Sequence, residues 1–180
     1  MGGSEWPYFH FNTLRESYLP AYKDFIRSAL EQPSARVHVH IFDLKDARGP
    51  KGSVLARTHE TAILASAADL LSSGVIDEAR RLQVIVDKSQ DYVFYSQLGL
   101  QLEPQFALRK LRLTGVSPIS SRGSHPIQAA DIIASSVGRR LNTPGNNAKD
   151  EIAGYVLDLM QTTNPLESHQ YANVVIKNHS

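Results

Sequence analysis

A chain of 180 residues, 42% hydrophobic and 21% charged, is long enough for one domain with a sizeable core and has the composition of an ordinary globular protein. It has no cysteine, which excludes disulfides and thiolate metal sites, and no apolar run of membrane-spanning length, so the expectation is a cytoplasmic protein with no membrane partner. A net charge of +1 decides nothing about nucleic acid, and the distribution of charge carries that question instead.

Glu5 to Asn12 is short and aromatic and reads as a strand or an ordered arm. Thr13 to Leu30 reads as a helix, with Leu14, Tyr18, Tyr22, Phe25, Ile26 and Leu30 on one side and Pro20 predicted to kink or split it. Residues 1–35 thus form an arm and a helix within a single domain spanning 1–180. Arg36 to Phe42 alternates Val37, Val39 and Ile41 with His38, His40 and Phe42, which predicts a strand. Asp43 to Gly52 is a polar loop with turn residues. Thr58 to Leu71 reads as a helix. Leu82 to Val86 is a β-branched run of the kind expected from a strand buried on both faces. Tyr92 to Leu102 reads as a helix stopped by Pro104, and Leu111 to Ile119 as a strand. Beyond a helix that begins at Ser124, Thr143 to Asn147 is a loop, Asp150 to Gln161 a helix and Tyr171 to Lys177 a final strand. Strands alternating with helices predict α/β layering.

The helix from Ser124 to Arg140 carries the most information. Ser124 is a good N-cap, Pro126 suits the first turn, and Arg139 and Arg140 complement the dipole at the far end. Ile127, Ala130, Ala134 and Val137 give it one apolar face of mostly small residues. Asp131 sits among alanines and isoleucines, where a carboxylate is expensive to bury without a compensating partner. Gln128, three residues earlier, points to roughly the same side. Asp131 is therefore either part of a site, a cap for a neighbouring loop, or a partner for an arginine such as Arg122.

In α/β sheets ligands gather beyond the carboxyl ends of the strands. Asp43 and Asp87 stand at the ends of the two best strands, and Asp131 comes from a helix able to pack across that end. Three converging carboxylates repel one another unless a cation is present, and oxygen donors suit Mg²⁺ or Mn²⁺. Two such ions support in-line phosphoryl displacement by water. Glu60 is a fourth candidate ligand, although a Glu in a first helical turn is also explained by the dipole. Asp43 and Asp87 have the alternative of an ordinary turn-forming role. His38 and His40 share one strand face, as a metal pair or as half-exposed strand positions. His125 stands at the helix start, as a proton carrier near Asp131 or without a role. Arg109, Lys110 and Arg112 either track phosphates or form a solvated face.

The run Val84-Ile85-Val86-Asp87-Lys88-Ser89, followed by His125-Pro126-Ile127-Gln128-Ala129-Ala130-Asp131-Ile132-Ile133-Ala134, resembles a family of uncharacterised prokaryotic and phage proteins. In that family a strand ends in Asp, often followed by Lys, and a later helix carries Gln-x-Ala-Asp. The resemblance spans roughly Arg36 to Leu141. It implies a ribonuclease H-like fold, a mixed sheet flanked by helices, and metal-dependent nuclease action. It implies roles for Asp87, Asp131 and Gln128 as well. The family's opening Asp-Glu-Ser-Gly motif does not occur here, and Asp43 is the candidate substitute for its acid.

The expected function is hydrolysis of phosphodiester bonds by a carboxylate cluster. Asp87, Asp131 and Asp43 hold Mg²⁺ or Mn²⁺ in this reading, with Glu60 as a further ligand. Gln128 orients Asp131 or the substrate, and Lys88 and the arginines meet a nucleic acid backbone. The alternative is a catalytically incomplete ribonuclease H-like protein that acts as a binding or interaction module. A homo-oligomer that lends residues across an interface belongs to that second reading.

Overall fold

A computed structural model describes residues 8–45, 48–78, 80–88, 92–142 and 144–179. The elements run α1 (Leu19–Glu31), β1 (Val37–Phe42), α2 (Lys51–Ser72), β2 (Arg81–Asp87), α3 (Tyr92–Leu108), β3 (Arg112–Ile119), α4 (His125–Asn142), α5 (Ala148–Leu159), β4 (His169–Tyr171) and β5 (Val174–His179). The protein is mixed α/β. Its strands form a three-stranded sheet in the order β1-β5-β4 and a two-stranded sheet of β2 and β3. The described residues divide into two compact units, 8–41 with 121–179, and 42–120.

In the first unit α1, α4 and α5 share one core with β1 and β5, centred on Ile26, Ile132, Ile152, Val156, Met160 and Ile176. The expected Thr13 to Leu30 helix begins later. Two 3-10 turns, Phe11–Thr13 and Glu16–Tyr18, precede α1, and Pro20 falls in its first turn, where a missing N–H removes no helical bond. The final strand is a hairpin instead: β4 and β5 pair antiparallel around Ala172, which has a φ of 51°.

The buried face of α4 differs from the expected one. Ala129, Ile132, Ile133 and Val137 are buried, while Ala130 and Ala134 are exposed. Burial free energy scales with apolar area, so the two isoleucines decide which face turns inward and the alanines follow.

One ion pair fixes the α4–α5 junction. The Arg139 guanidinium donates from Nε to Asp150 Oδ1 and from Nη2 to Oδ2, each at 2.9 Å. The same carboxylate accepts the N–H of Gly145 at 2.8 Å and that of Asn147 at 3.1 Å, completing a capping box at the start of α5. The Arg139 hydrogen bonds, helped by these two N–H groups and opposed by burial, hold the Asp150 carboxyl far below the usual carboxylate range. A methyl group on Gly145 would meet Arg139 Nη2 at 2.8 Å and Asp150 Oδ2 at 3.1 Å, so the guanidinium would have to shift to admit one.

In the second unit α2 and α3 pack on one face of a parallel β2–β3 ladder, around Phe94, Leu98, Leu102 and Phe106. The β2 strand is not buried on both faces. Leu82, Val84 and Val86 pack inward, whereas Arg81 and Gln83 are exposed and Ile85 is 47% exposed. A bulge shifts the register between Leu82 and Gln83; opposite it Gly115 has a φ of 149°, and Thr114 Oγ1 donates to the Leu82 carbonyl. Helix α3 runs through Pro104. Proline removes the bond to the carbonyl four residues back, that of Leu100, and Leu100 is 74% exposed, so the turn that loses the bond faces solvent. Helix α2 starts at Lys51, seven residues before Thr58, which places Glu60 beyond the first turn and removes the dipole as its explanation.

Because the folded-state pKa of Asp150 lies below its unfolded value of ~3.9, its stabilisation is fully present above about pH 4 and is lost as the pH falls further. Thermal melts from neutral to strongly acidic pH should show Asp150→Asn lowering Tm at neutral pH and flattening the loss of stability below about pH 4. Parallel wild-type and variant curves over that range would refute this account of the junction.

Candidate functional site

Backbone N–H groups that no helix or strand partner serves need other acceptors, and three consecutive ones from Phe9 to Phe11 find them in side chains. Phe9 N donates to Gln128 Oε1 at 3.1 Å. His10 N donates to the Tyr22 hydroxyl at 3.0 Å, and that hydroxyl donates to the His10 carbonyl at 2.9 Å. Phe11 N donates to Asp131 Oδ2 at 3.2 Å. The i, i+3 pair on α4 thus reads an i, i+2 pair on the arm.

The orientation of the Gln128 amide is dictated by its partners. Its Nε2 donates to the Ser121 carbonyl at 2.7 Å, and its Oε1 accepts from Phe9. Gln128 is 1% exposed. A buried amide with both ends satisfied also ties the turn before α4 to the arm.

Aromatic packing surrounds these bonds. The Phe9 ring stacks on Phe25 at 4.4 Å between centroids and meets Tyr22 edge-on at 5.0 Å. Phe11 is 6% exposed and joins the core. The Tyr8 hydroxyl lies 3.3 Å from Ser121 Oγ, and the Arg122 guanidinium lies over the Tyr8 ring at 5.6 Å. His10 Nδ1 is 3.8 Å from Asp131 Oδ2, yet it accepts the Asn12 N–H at 3.1 Å. A nitrogen that accepts carries no proton, so the His10 proton sits on Nε2 and the short distance to Asp131 is not an ion pair in this state.

Asp131 and Gln128 belong to the first unit, whereas Asp43, Glu60 and Asp87 belong to the second. Asp43 Oδ1 accepts the Lys45 N–H at 3.0 Å, and its side chain is 55% exposed, an ordinary Asp turn. Asp87 ends β2, and its carbonyl accepts the Tyr95 hydroxyl at 2.9 Å. Among the described residues no group of three or more His, Asp or Glu side chains is arranged to hold a metal ion. Arg109 donates to the Gln105 carbonyl near the end of α3, and Lys110 pairs with Glu78 at 3.0 Å. His125 meets Phe25 edge-on at 6.0 Å.

His40 Nδ1 faces Nε2 of His179 at 2.9 Å. Their centroids are 5.2 Å apart, so the two imidazoles meet end to end through this one nitrogen-to-nitrogen contact. Nitrogens aimed at each other do not converge on a common ion. The His38 and His40 rings are 6.4 Å apart and nearly parallel.

Sequence reasoning singled out Gln128 and Asp131 and missed Tyr22 and Phe25, which it assigned to a core stripe. The aromatic run before Asn12 was the available signal, because an arm rich in rings needs an aromatic surface to lie on.

Gln128→Ala should lower stability by about 1–3 kcal/mol, by stranding the Phe9 N–H and the Ser121 carbonyl. Asp131→Asn keeps an acceptor and should change it by less than about 1 kcal/mol. Amide exchange at Phe9 should accelerate in Gln128→Ala; unchanged exchange there would show that the arm is held by other means.

Comparison of the chain with protein-family models, with curated proteins and with solved structures finds no match.

Proposed function

We propose that this chain is a binding module with a ribonuclease H-like arrangement that does not itself cleave phosphodiester bonds. The observation that carries the reading is the use made of Gln128 and Asp131, whose polar ends hold the backbone of the arm. A two-metal hydrolase needs clustered carboxylates with oxygens turned to the ions. Here Asp131 Oδ2 is turned to a backbone N–H, and Gln128 is satisfied at both ends. The absent Asp-Glu-Ser-Gly motif points the same way. The mixed α/β order, the parallel β2–β3 pair and the Asp87-Lys88 strand end support the ribonuclease H-like part of the reading.

Incubation of the purified chain with single-stranded RNA, DNA and an RNA–DNA hybrid, in Mg²⁺ and separately in Mn²⁺, tests this. The expected result is no cleavage above a metal-free control, with wild type, Asp87→Asn and Asp131→Asn indistinguishable. Metal-dependent cleavage lost in both variants would overturn the reading and restore a nuclease.

A further inference from the structure

The second unit holds a cavity of about 570 Å³ between the start of α2 and the middle of α3. That volume is in the range of small-molecule sites. Two kinds of side chain line it with hydrogen-bonding capacity that the fold does not use. Arg48 and Arg57 are the first kind. The Arg57 guanidinium donates from Nη2 to the Arg48 carbonyl at 3.0 Å, which holds it against the loop before α2. Neither arginine has a carboxylate partner among the described residues. No Asp or Glu is among the described lining residues, and Lys51 brings a third positive charge to the start of α2. Like charges gathered without a counter-charge repel one another, and a guanidinium offers donors only, so the partner missing here is an anion.

Gln97 and Gln101 are the second kind. They are four residues apart and so share one face of α3. The Oε1 of each is buried and accepts no hydrogen bond among the described residues. A buried acceptor without a donor is unfavourable, and nothing in the packing of α2 on α3 requires two of them in one cavity wall. The terminal torsion of a glutamine is soft, so rotation about it turns the oxygen to the cavity, where a ligand's donor satisfies it. Pro50 and Leu100 supply the apolar part of the lining, and no aromatic ring is among the described lining residues. A planar base has no face to stack on there, whereas hydroxyl groups have two acceptors.

We propose that this cavity binds a small hydroxyl-bearing phosphate ester, a sugar phosphate, with its phosphate on Arg48 and Arg57 and its hydroxyls on Gln97 and Gln101. Guanidinium groups hold the phosphate through charge-assisted hydrogen bonds. The glutamines distinguish the ester from free phosphate. This goes beyond the binding-module reading and uses none of the residues that carry it.

Calorimetric titration of the full chain with glucose 6-phosphate, glucose and inorganic phosphate is the test. Glucose 6-phosphate should bind at least ~10-fold more tightly than inorganic phosphate, and glucose alone should not bind at millimolar concentration. Arg57→Gln should weaken binding of both phosphates. Gln97→Leu and Gln101→Leu should each remove the advantage of the ester and leave the affinity for inorganic phosphate unchanged. Since the two oxygens have no partner in the fold, neither leucine variant should lower Tm, as a structural role for the amides would require. The proposal is overturned by equal affinity for ester and inorganic phosphate, or by no binding of the ester at ~10 mM. Leucine variants that keep the ester's advantage, or that melt lower than wild type, overturn it as well. No nucleic acid enters this titration, so its failure leaves the module reading standing, while cleavage in the nuclease assay strikes that reading alone.

Discussion

Where Phe9 to Phe11 cross the helices their backbone N–H groups must be satisfied, and side chains rather than a strand serve them. An unmet buried N–H costs about 1–3 kcal/mol, a large part of the net stability of a small unit. The first unit meets this constraint with Gln128, Asp131 and the Tyr22 hydroxyl. Much else follows from it. The arm brings Phe9 and Phe11 onto α1 and α4, Gln128 ties the turn at Ser121 to the arm, and the core closes over Phe11. The polar residues of α4 are thus where they are because of a segment about 120 residues away in sequence.

That distance explains what was legible. A carboxylate in an Ala/Ile-rich helix signals an unseen partner, and the physical argument for one at Asp131 holds whether the partner is a cation or an amide hydrogen. Sequence spacing identified the residue and its neighbour Gln128, since i and i+3 share a face. It did not identify the donor, because nothing local in Phe9-His10-Phe11 marks its backbone as the ligand of a helix far along the chain. The apolar pattern misled for a related reason. Ala130 and Ala134 match the helical period as well as Ile132 and Ile133 do, and only the area each buries separates inward from outward.

Element types were more readily read than their limits. Alternation located β1, and β-branched residues located β2. The limits that shifted did so through side chains facing water or through special backbone geometry. Pro104 does not stop α3 because the carbonyl it strands belongs to an exposed turn. Pro20 does not split α1 because it lies where the helix begins. The bulge at Gly115 depends on a φ of 149° and on the hydroxyl of Thr114 reaching across to β2, neither of which periodicity expresses.

The two polar constructions of the first unit solve opposite problems. Arg139 and Asp150 form a closed set: a bidentate pair whose carboxylate also takes two backbone N–H groups, with no room for a methyl at Gly145. It fixes α5 against α4. In the Gln128–Asp131 pair each residue accepts one backbone N–H of the arm, and Gln128 also donates to the Ser121 carbonyl. The first arrangement is specific because its geometry admits one partner. The second is specific only through the rings packed beside it, on Phe25 and in the Phe11 pocket.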